Sequence, residues 1–584
     1  MIYLDGDNDL EEYAINDFLE ISSIGSNENI NIVVQFDRIG GYDTRYGNWT
    51  ECNRFYITTG LEPRKENSIK DWRDGIGGRE VNMGDTQTLI DFINWAKTNY
   101  PAEKYALILW NHGGGWKSLS VTGFNIEKRH VLKEVCYDDT SNDYLSMREV
   151  SQALLNNYVD FIGFDACLMA MIEVANEIKN LSNVMVASEK EETTTGWNYR
   201  DFLLNLKNNP DATPEQLSFF IVNYSSQDTL SGIRLNKISE LNQSLNLLLS
   251  EIMNSNDWLN VFLSREEAET YDIEFVDIYG FFENYYMHTE NQQIKNYIEQ
   301  FKEIFRQTII CDNNLNDASY GLSIYFPTYS STIDQNYNEN TISFPIETLW
   351  DEFLISFLNS NLFYGYETIF SEDFSSGIPE GWTIIDGYND GYTWTTNNPK
   401  NRTSQYLTEP FMIVDSDASG YRNMNEQLIT FSFNFSNYNK IFIKFSHKFW
   451  YYSDEIADFD IKIEENEWMN LKRWEEIDDE GVVVVDISDI AGGKDNVKFR
   501  WHYYNAYFDW FWAIDNVEIL VKAGDIQKGD INKDGIIDID DVIFCLRMAI
   551  GLDPVDKSVA DMNEDELVDI TDVIKILRKA IGLE

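Results

Sequence analysis

The sequence predicts a multidomain protein: an α/β domain with a mostly parallel sheet flanked by helices, then an all-β sandwich, then a small helical segment with two acidic loops. Three observations predict it. Strand-like and helix-like apolar patterns alternate over residues 1–361, which implies crossover connections and helices on both faces of a sheet. Over 366–521 the texture changes to short alternating strands split by Gly, Asn and Asp and rich in Trp and Tyr, the pattern of a sandwich. Over 524–584 the chain repeats itself, each copy an acidic loop followed by a helix. At 584 residues it is also too long for one core.

The net charge of −54 excludes a nucleic-acid binder, which needs a basic face, and favours bound cations. The five cysteines (Cys52, Cys136, Cys167, Cys311 and Cys545) are scattered and odd in number. They make neither a disulfide framework nor a zinc cluster. No apolar run reaches transmembrane length, and no signal peptide is visible. Met1-Ile2-Tyr3-Leu4 already reads as a core strand, so a longer precursor is expected.

In order, Met1–Leu4 leads through Asp5-Gly6-Asp7-Asn8-Asp9 into a helix. Asp9 and Glu12 form its expected capping box, and Leu10, Ala14, Phe18 and Ile21 share a face. Strands are expected at Ile30–Phe36 and Arg54–Thr58. Asp85 caps a helix that buries Leu89, Phe92, Ile93 and Ala96 and stops at Pro101. Tyr105–Trp110 is a buried strand, and Lys117–Asn142 is a polar stretch. Val159–Phe164 is the next buried strand, with a helix expected from Leu168. Val184–Ala187 is a short strand, Thr213-Pro214 opens a helix, and Tyr320–Pro327 is a final strand.

The chemistry sits at two of these strand ends. Tyr105–Trp110 delivers Asn111-His112-Gly113-Gly114-Gly115-Trp116, and the later strand delivers Asp165-Ala166-Cys167. Open α/β sheets place their crevice at the carboxyl ends of strands. If the two strands are neighbours, His112 can deprotonate Cys167. The amides of Gly113 and Cys167 are the candidate oxyanion donors. Each residue alone has a bland reading, a buried structural cysteine and a loop histidine. Histidine roughly 50 residues ahead of cysteine is also the caspase order.

The Asp-Gly-Asp-Asn-Asp-Leu-Glu start, Trp-Asn-His-Gly-Gly-Gly-Trp, Phe-Asp-Ala-Cys-Leu-Met and Gly-Leu-Ser-Ile-Tyr-Phe-Pro together resemble the clostripain family of cysteine peptidases. The resemblance covers residues 1–361. It implies a caspase-like fold, His112 and Cys167 as a catalytic dyad, and protein or peptide substrates cut after Arg or Lys. It also implies that Asp165 lies in the S1 pocket. Residues two apart in an extended segment share a face, so the Asp165 carboxylate is expected near Cys167. The competing role for Asp165 is to cap a helix at Leu168. Family members often carry a further acid in a Pro-Gly turn after Ala187-Ser188-Glu189. Glu191-Glu192-Thr193-Thr194-Thr195-Gly196-Trp197 stands here instead, so a second S1 acid is not expected. Maturation in the family often cuts between the histidine and cysteine strands, where Lys128, Arg129 and Lys133 are the candidate sites. The resemblance also suggests calcium at Asp5, Asp7 and Asp9, against the simpler reading of charge at a helix N-terminus.

The C-terminal repeat carries hard oxygen donors at loop positions one, three, five, nine and twelve, with a backbone carbonyl at seven, as a Ca²⁺ loop requires. The first loop offers Asp530, Asn532, Asp534, Ile536, Asp538 and Asp541, with Gly535 at the sharp turn. The second offers Asp561, Asn563, Asp565, Leu567, Asp569 and Asp572, with Glu566 replacing glycine. The helices Val542–Leu552 and Val573–Leu583 both end Ala-Ile-Gly-Leu. One helix after each loop resembles a type I dockerin rather than paired EF-hands. This implies two Ca²⁺, a cohesin module of a scaffoldin as partner, and a secreted, cellulosome-type location. Ile539, Asp540, Ile570 and Thr571 are the expected partner contacts.

The sandwich resembles the cleaved-adhesin or MAM-like jelly rolls, with Glu372, Asp415, Asp417 and Asp515 as candidate ligands for a further Ca²⁺. The same acids can equally cap turns, and Trp450-Tyr451-Tyr452 reads as jelly-roll core, with binding of a carbohydrate or protein as the alternative. The combined expectation is a secreted, scaffold-anchored cysteine endopeptidase. The alternatives are a non-catalytic adhesin or scaffold subunit with a decayed peptidase domain, and an inhibitor of the assembly.

Overall fold

The computed structural model describes all residues except 70–78, 118–133, 314–317, 330, 465, 524–527, 533–536, 554, 556, 564, 566 and 584. Lys128, Arg129, Lys133, Asp534, Gly535, Ile536 and Glu566 lie outside the described residues. The chain divides into two compact units, Met1–Leu362 and Phe363–Glu584.

The first unit is built on eight strands: β1 Ile2–Gly6, β2 Val33–Arg38, β3 Asn53–Tyr56, β4 Ala106–Trp110, β5 Phe161–Asp165, β6 Val184–Ser188, β7 Leu230–Arg234 and β8 Ile309–Asp312. Their spatial order is β8-β7-β6-β5-β4-β1-β2-β3. The centre from β6 to β2 is parallel, and β3, β7 and β8 are antiparallel additions at the edges. The parallel centre follows from the sequence: β5 is buried at every position, and a strand covered on both faces reads as one apolar run. Chain order runs outward from β1 to β2 and then reverses to β4, so the topological switch point lies between β1 and β4.

Three local expectations are corrected. The helix after β1 spans Glu11–Ile24 and has Leu10 at its N-cap with no side-chain cap. Asp9 is used elsewhere. No helix starts at Leu168. That residue takes φ +63°, and the helix begins only at Ile172. Ser323–Tyr325 does form a strand, but in a separate three-stranded antiparallel sheet. Two other helix starts are as expected: Asp85 accepts from the Gln87 amide at 2.6 Å, and Thr213 and Gln216 form a capping box.

The second unit holds two five-stranded sheets. The core between them includes Trp394, Trp501 and Trp512, all buried. Trp450 and Tyr452 are not core: they are 36% and 68% exposed, and Trp450 stacks on Trp510 with centroids 5.0 Å apart. The unit ends in the helices Ile539–Ala549 and Ile570–Ala580, which enclose a small core around Cys545, Val559, Ala560 and Ile576.

Candidate active site

β4 and β5 are parallel neighbours with Trp110 opposite Asp165. Two residues further on, His112 and Cys167 leave the same sheet edge. The two segments touch: a Cβ on Gly113 would sit 2.4 Å from the Cys167 carbonyl oxygen and 3.0 Å from its amide nitrogen. Only glycine lets these backbones approach so closely. Gly114, not Gly113, donates to the Glu134 carbonyl, at 3.0 Å. The left-handed Leu168 then turns the chain sharply away from the cysteine, a conformation that costs energy and marks sites where geometry is fixed for function.

His112 is held from several sides. Its Nε2 lies 2.7 Å from Asp9 Oδ1. Its amide donates to Asn111 Oδ1, and Asn111 Nδ2 donates to Asp5 Oδ2 at 2.6 Å and to the Tyr137 carbonyl at 3.0 Å. The acidic turn after β1 therefore orients the histidine, and the sequence's apparent capping acid is its partner. Replacing Asp9 with alanine is expected to lower kcat about 10²-fold with KM little changed. Asp9→Asn, which keeps an acceptor oxygen, should restore much of the rate. Steady-state kinetics on a peptide substrate checks both.

Cys167 is half-buried, and burial is the largest cause pushing its thiol up, to about 12; the Glu192 carboxyl adds to this. The Glu192 amide partly offsets both by donating to Sγ at 3.3 Å. The resting sulfur is thus a thiol that needs a base.

Asp165 does not cap a helix. It is buried, accepts from the Tyr199 hydroxyl at 2.8 Å and faces the Trp197 amide at 3.5 Å. Desolvation pushes its carboxyl up to about 6, against the hydrogen bonds that lower it. Glu192 lies beside it. Burial, and then Asp165, raise Glu192 well above the usual carboxylate range, so Glu192 carries the proton of the pair. Asp17, from the helix after β1, is a third buried acid, held by the Trp110 indole N–H at 2.8 Å. Gly196, at φ +58°, faces all this: a Cβ there would lie 3.1 Å from Asp17 Oδ2 and 3.3 Å from both Asp165 oxygens. The missing side chain leaves room over the carboxylates. The expectation that no second acid joins Asp165 is therefore corrected. Glu192 joins it without the turn that was looked for, and the Glu191-Glu192 pair ahead of Gly196-Trp197 was the available signal. Asp17 gave none, since an acid on an amphipathic helix ordinarily faces water.

In the C-terminal repeat, Asp538 and Asp569 cap their helices, with Asp541 and Asp572 completing the capping boxes. Asp541 accepts from the amides of Ile531 and Asn532 at 2.6 and 3.1 Å. Asp572 accepts from the Met562 amide at 2.8 Å. Asp561 and Asn563 both accept from the Asp565 amide, at 3.3 and 3.2 Å, so positions one, three and five converge; Leu567 donates to Asp565 at 2.9 Å. The donors are all oxygens, which fits a hard cation such as Ca²⁺.

Of the four sandwich acids, Glu372 lies near Asp515, whose carboxyl is pushed up by burial and then by the charges of Asp373 and Glu372. Asp415 and Asp417 both pair with Arg402, at 2.9 and 2.6 Å, so a guanidinium already supplies the positive charge there. Asp515 accepts from the Thr408 amide at 2.8 Å and Glu372 from the Phe374 amide at 2.7 Å.

A model described as the clostripain family matches residues 2–357. Clostripain of Hathewaya histolytica is 26% identical over 414 residues, covering 59% of this chain and 77% of that protein. A secreted C11 cysteine protease of Bacteroides thetaiotaomicron, solved with an irreversible peptide inhibitor, is 19% identical. It covers 60% of this chain and 98% of its own, with a TM-score of 0.43. The K3 cleaved adhesin domain of Lys-gingipain from Porphyromonas gingivalis is 19% identical, covering 26% of this chain and 99% of its own, with a TM-score of 0.22.

Proposed function

The chain belongs to the clostripain family and is a cysteine endopeptidase, and from that premise we propose that it cuts after Arg or Lys with His112 and Cys167 as its dyad. With Nε2 of His112 on Asp9, Nδ1 takes the Cys167 proton. The sulfur attacks the scissile carbonyl, and the Gly113 and Cys167 amides stabilise the oxyanion. His112 then protonates the leaving amine, and water releases the acyl-enzyme.

The observation that carries the substrate preference is the buried acid group of Asp165, Glu192 and Asp17 around Gly196, next to Cys167 Sγ. An unpaired buried carboxylate is costly, and an arginine or lysine side chain is the chemistry that neutralises it. The same event removes negative charge from around the thiol and so favours its ionisation. A peptide-library digest reporting the residue before each cut tests this. Arg and Lys should dominate, and cuts spread over apolar residues would overturn it.

In the same reading the chain is secreted and matures by cutting itself among Lys128, Arg129 and Lys133. Purified active wild type should run as two fragments on a denaturing gel, and a single intact band would refute the self-cutting. The C-terminal repeat, as a dockerin, binds two Ca²⁺ and a cohesin module of a scaffoldin. Support comes from its surface. Ile539, Ile543, Leu546, Ile550 and Leu552 are each at least 40% exposed, and their repeat mates Ile570, Ile574, Leu577, Ile581 and Leu583 at least 36%. So duplicated an apolar face suits a protein partner. Replacing Asp541 and Asp572 together with alanine should abolish capture by a cohesin panel in Ca²⁺ while leaving peptide turnover intact. Capture unchanged by that pair, or no capture by wild type, would reject this part.

A further inference from the structure

Away from the dyad, three carboxylates from separate stretches meet near the carboxyl ends of β1 and β2. Asp7 follows β1, Asp37 lies in β2, and Glu80 precedes the helix Thr86–Asn99. Each offers an oxygen within 4.8 Å of the other two. Asp7 and Asp37 are both 0% exposed, and Glu80 opens to solvent. One oxygen of each buried pair member is satisfied. Asp7 Oδ1 accepts from the Thr140 amide and hydroxyl at 3.1 and 3.0 Å, and Asp37 Oδ1 from the Arg38 amide at 2.9 Å. The other oxygen, Oδ2 in both, is buried with no hydrogen-bond partner among the described residues.

Such an arrangement is unfavourable by itself. A buried acceptor without a donor costs about 1–3 kcal/mol, and more when charged. The neighbouring guanidiniums are aimed elsewhere: Arg38 at Glu11, 2.8 Å away, and Arg54 Nε at Gln35 Oε1, also at 2.8 Å. Asp5 and Asp138 add further negative charge at Asp37.

We infer that Asp7, Asp37 and Glu80 form a binding site for a hard divalent cation, Ca²⁺ or Mg²⁺. The two orphaned oxygens are the inner ligands and Glu80 the outer one, at the side from which the ion enters. All three donors are carboxylate oxygens, the type these ions take. The site is not the Asp5-Asp7-Asp9 set suggested by the sequence, because Asp5 holds Asn111 and Asp9 holds His112. It shares only Asp7 with that set, and it is separate from the repeat loops. An ion there would tie the turn after β1 to β2, and the same turn carries Asp9.

The test counts bound metal in the full chain. A Cys167→Ala background prevents self-digestion, and the repeat loops stay intact throughout. After chelation and dialysis against Ca²⁺ or Mg²⁺, Asp37→Asn and Glu80→Gln should each retain one equivalent fewer than the parent. The ion for which the difference appears identifies the cation. Metal-free Asp37→Asn should melt no lower than the metal-free parent, because a buried acceptor without a donor gives way to an N–H group facing two other carboxyls. Should Asp37→Asn fail to fold, exposed Glu80→Gln still decides. Equal metal counts for parent and Glu80→Gln with both ions would overturn the site. The count reads binding alone, so it stands apart from the peptidase reading.

Discussion

Replacing Cys167 with alanine is expected to lower kcat/KM for Arg- or Lys-containing peptides by about 10⁴-fold or more. The sulfur forms the covalent intermediate, and of the other cysteines in the first unit Cys52 and Cys136 are buried and Cys311 lies on the edge strand β8. His112→Ala should cost a similar factor, and the double variant little more than either single one. Groups that act as a unit lose their effect together. Single-turnover assays with a fluorogenic peptide measure this, and undiminished turnover in Cys167→Ala would exclude the mechanism.

The second large effect concerns substrate choice. Asp165→Asn should reduce kcat/KM for an Arg substrate by about 10²-fold or more, because truncating one partner of a desolvated charge pair costs about 2–5 kcal/mol. A matched peptide with a neutral residue at that position should lose far less. Glu192→Gln should act in the same direction. The pH profile separates charge from shape. Asp165 titrates at about 6, above its ordinary 3.8. The form that attracts a cation is the ionised one, so kcat/KM for Arg substrates should rise with pH through about 6 and then level. Asp165→Asn should remove that rise. The sign for stability is opposite. Between 3.8 and about 6 the folded chain holds a proton at Asp165 that the unfolded chain has lost. This contribution to stability therefore falls as pH rises across that window.

How much of this was legible in the sequence depended on whether local pattern or distant packing decided each residue. β4 and β5 were legible because a strand buried on both faces must be uniformly apolar, and their ends had to carry the polar chemistry. The edge strands β7 and β8 were less so, since their antiparallel pairing comes from tertiary placement. The helix expected at Leu168 failed because Cys167 needs a sharp turn after it, and a left-handed leucine has no sequence signature. Asp9 was read as a cap because its spacing to Glu12 is right for one. The fold instead brings it to His112, more than a hundred residues away. Glu192 and Asp17 were missed for the same reason, because their burial is imposed by Trp197, Trp110 and Gly196 rather than by neighbours in sequence.

The loop bearing Glu192 lends the sulfur an amide proton donor, while the singly charged carboxyl pair that Glu192 makes with Asp165 sits close to it. Anyone who strips Asp165 and Glu192 to broaden the diet of this enzyme will also release the brake on its nucleophile. Such a variant should be alkylated faster by neutral reagents than its parent. Choosiness and restraint are here one and the same feature, so loosening the first forfeits the second.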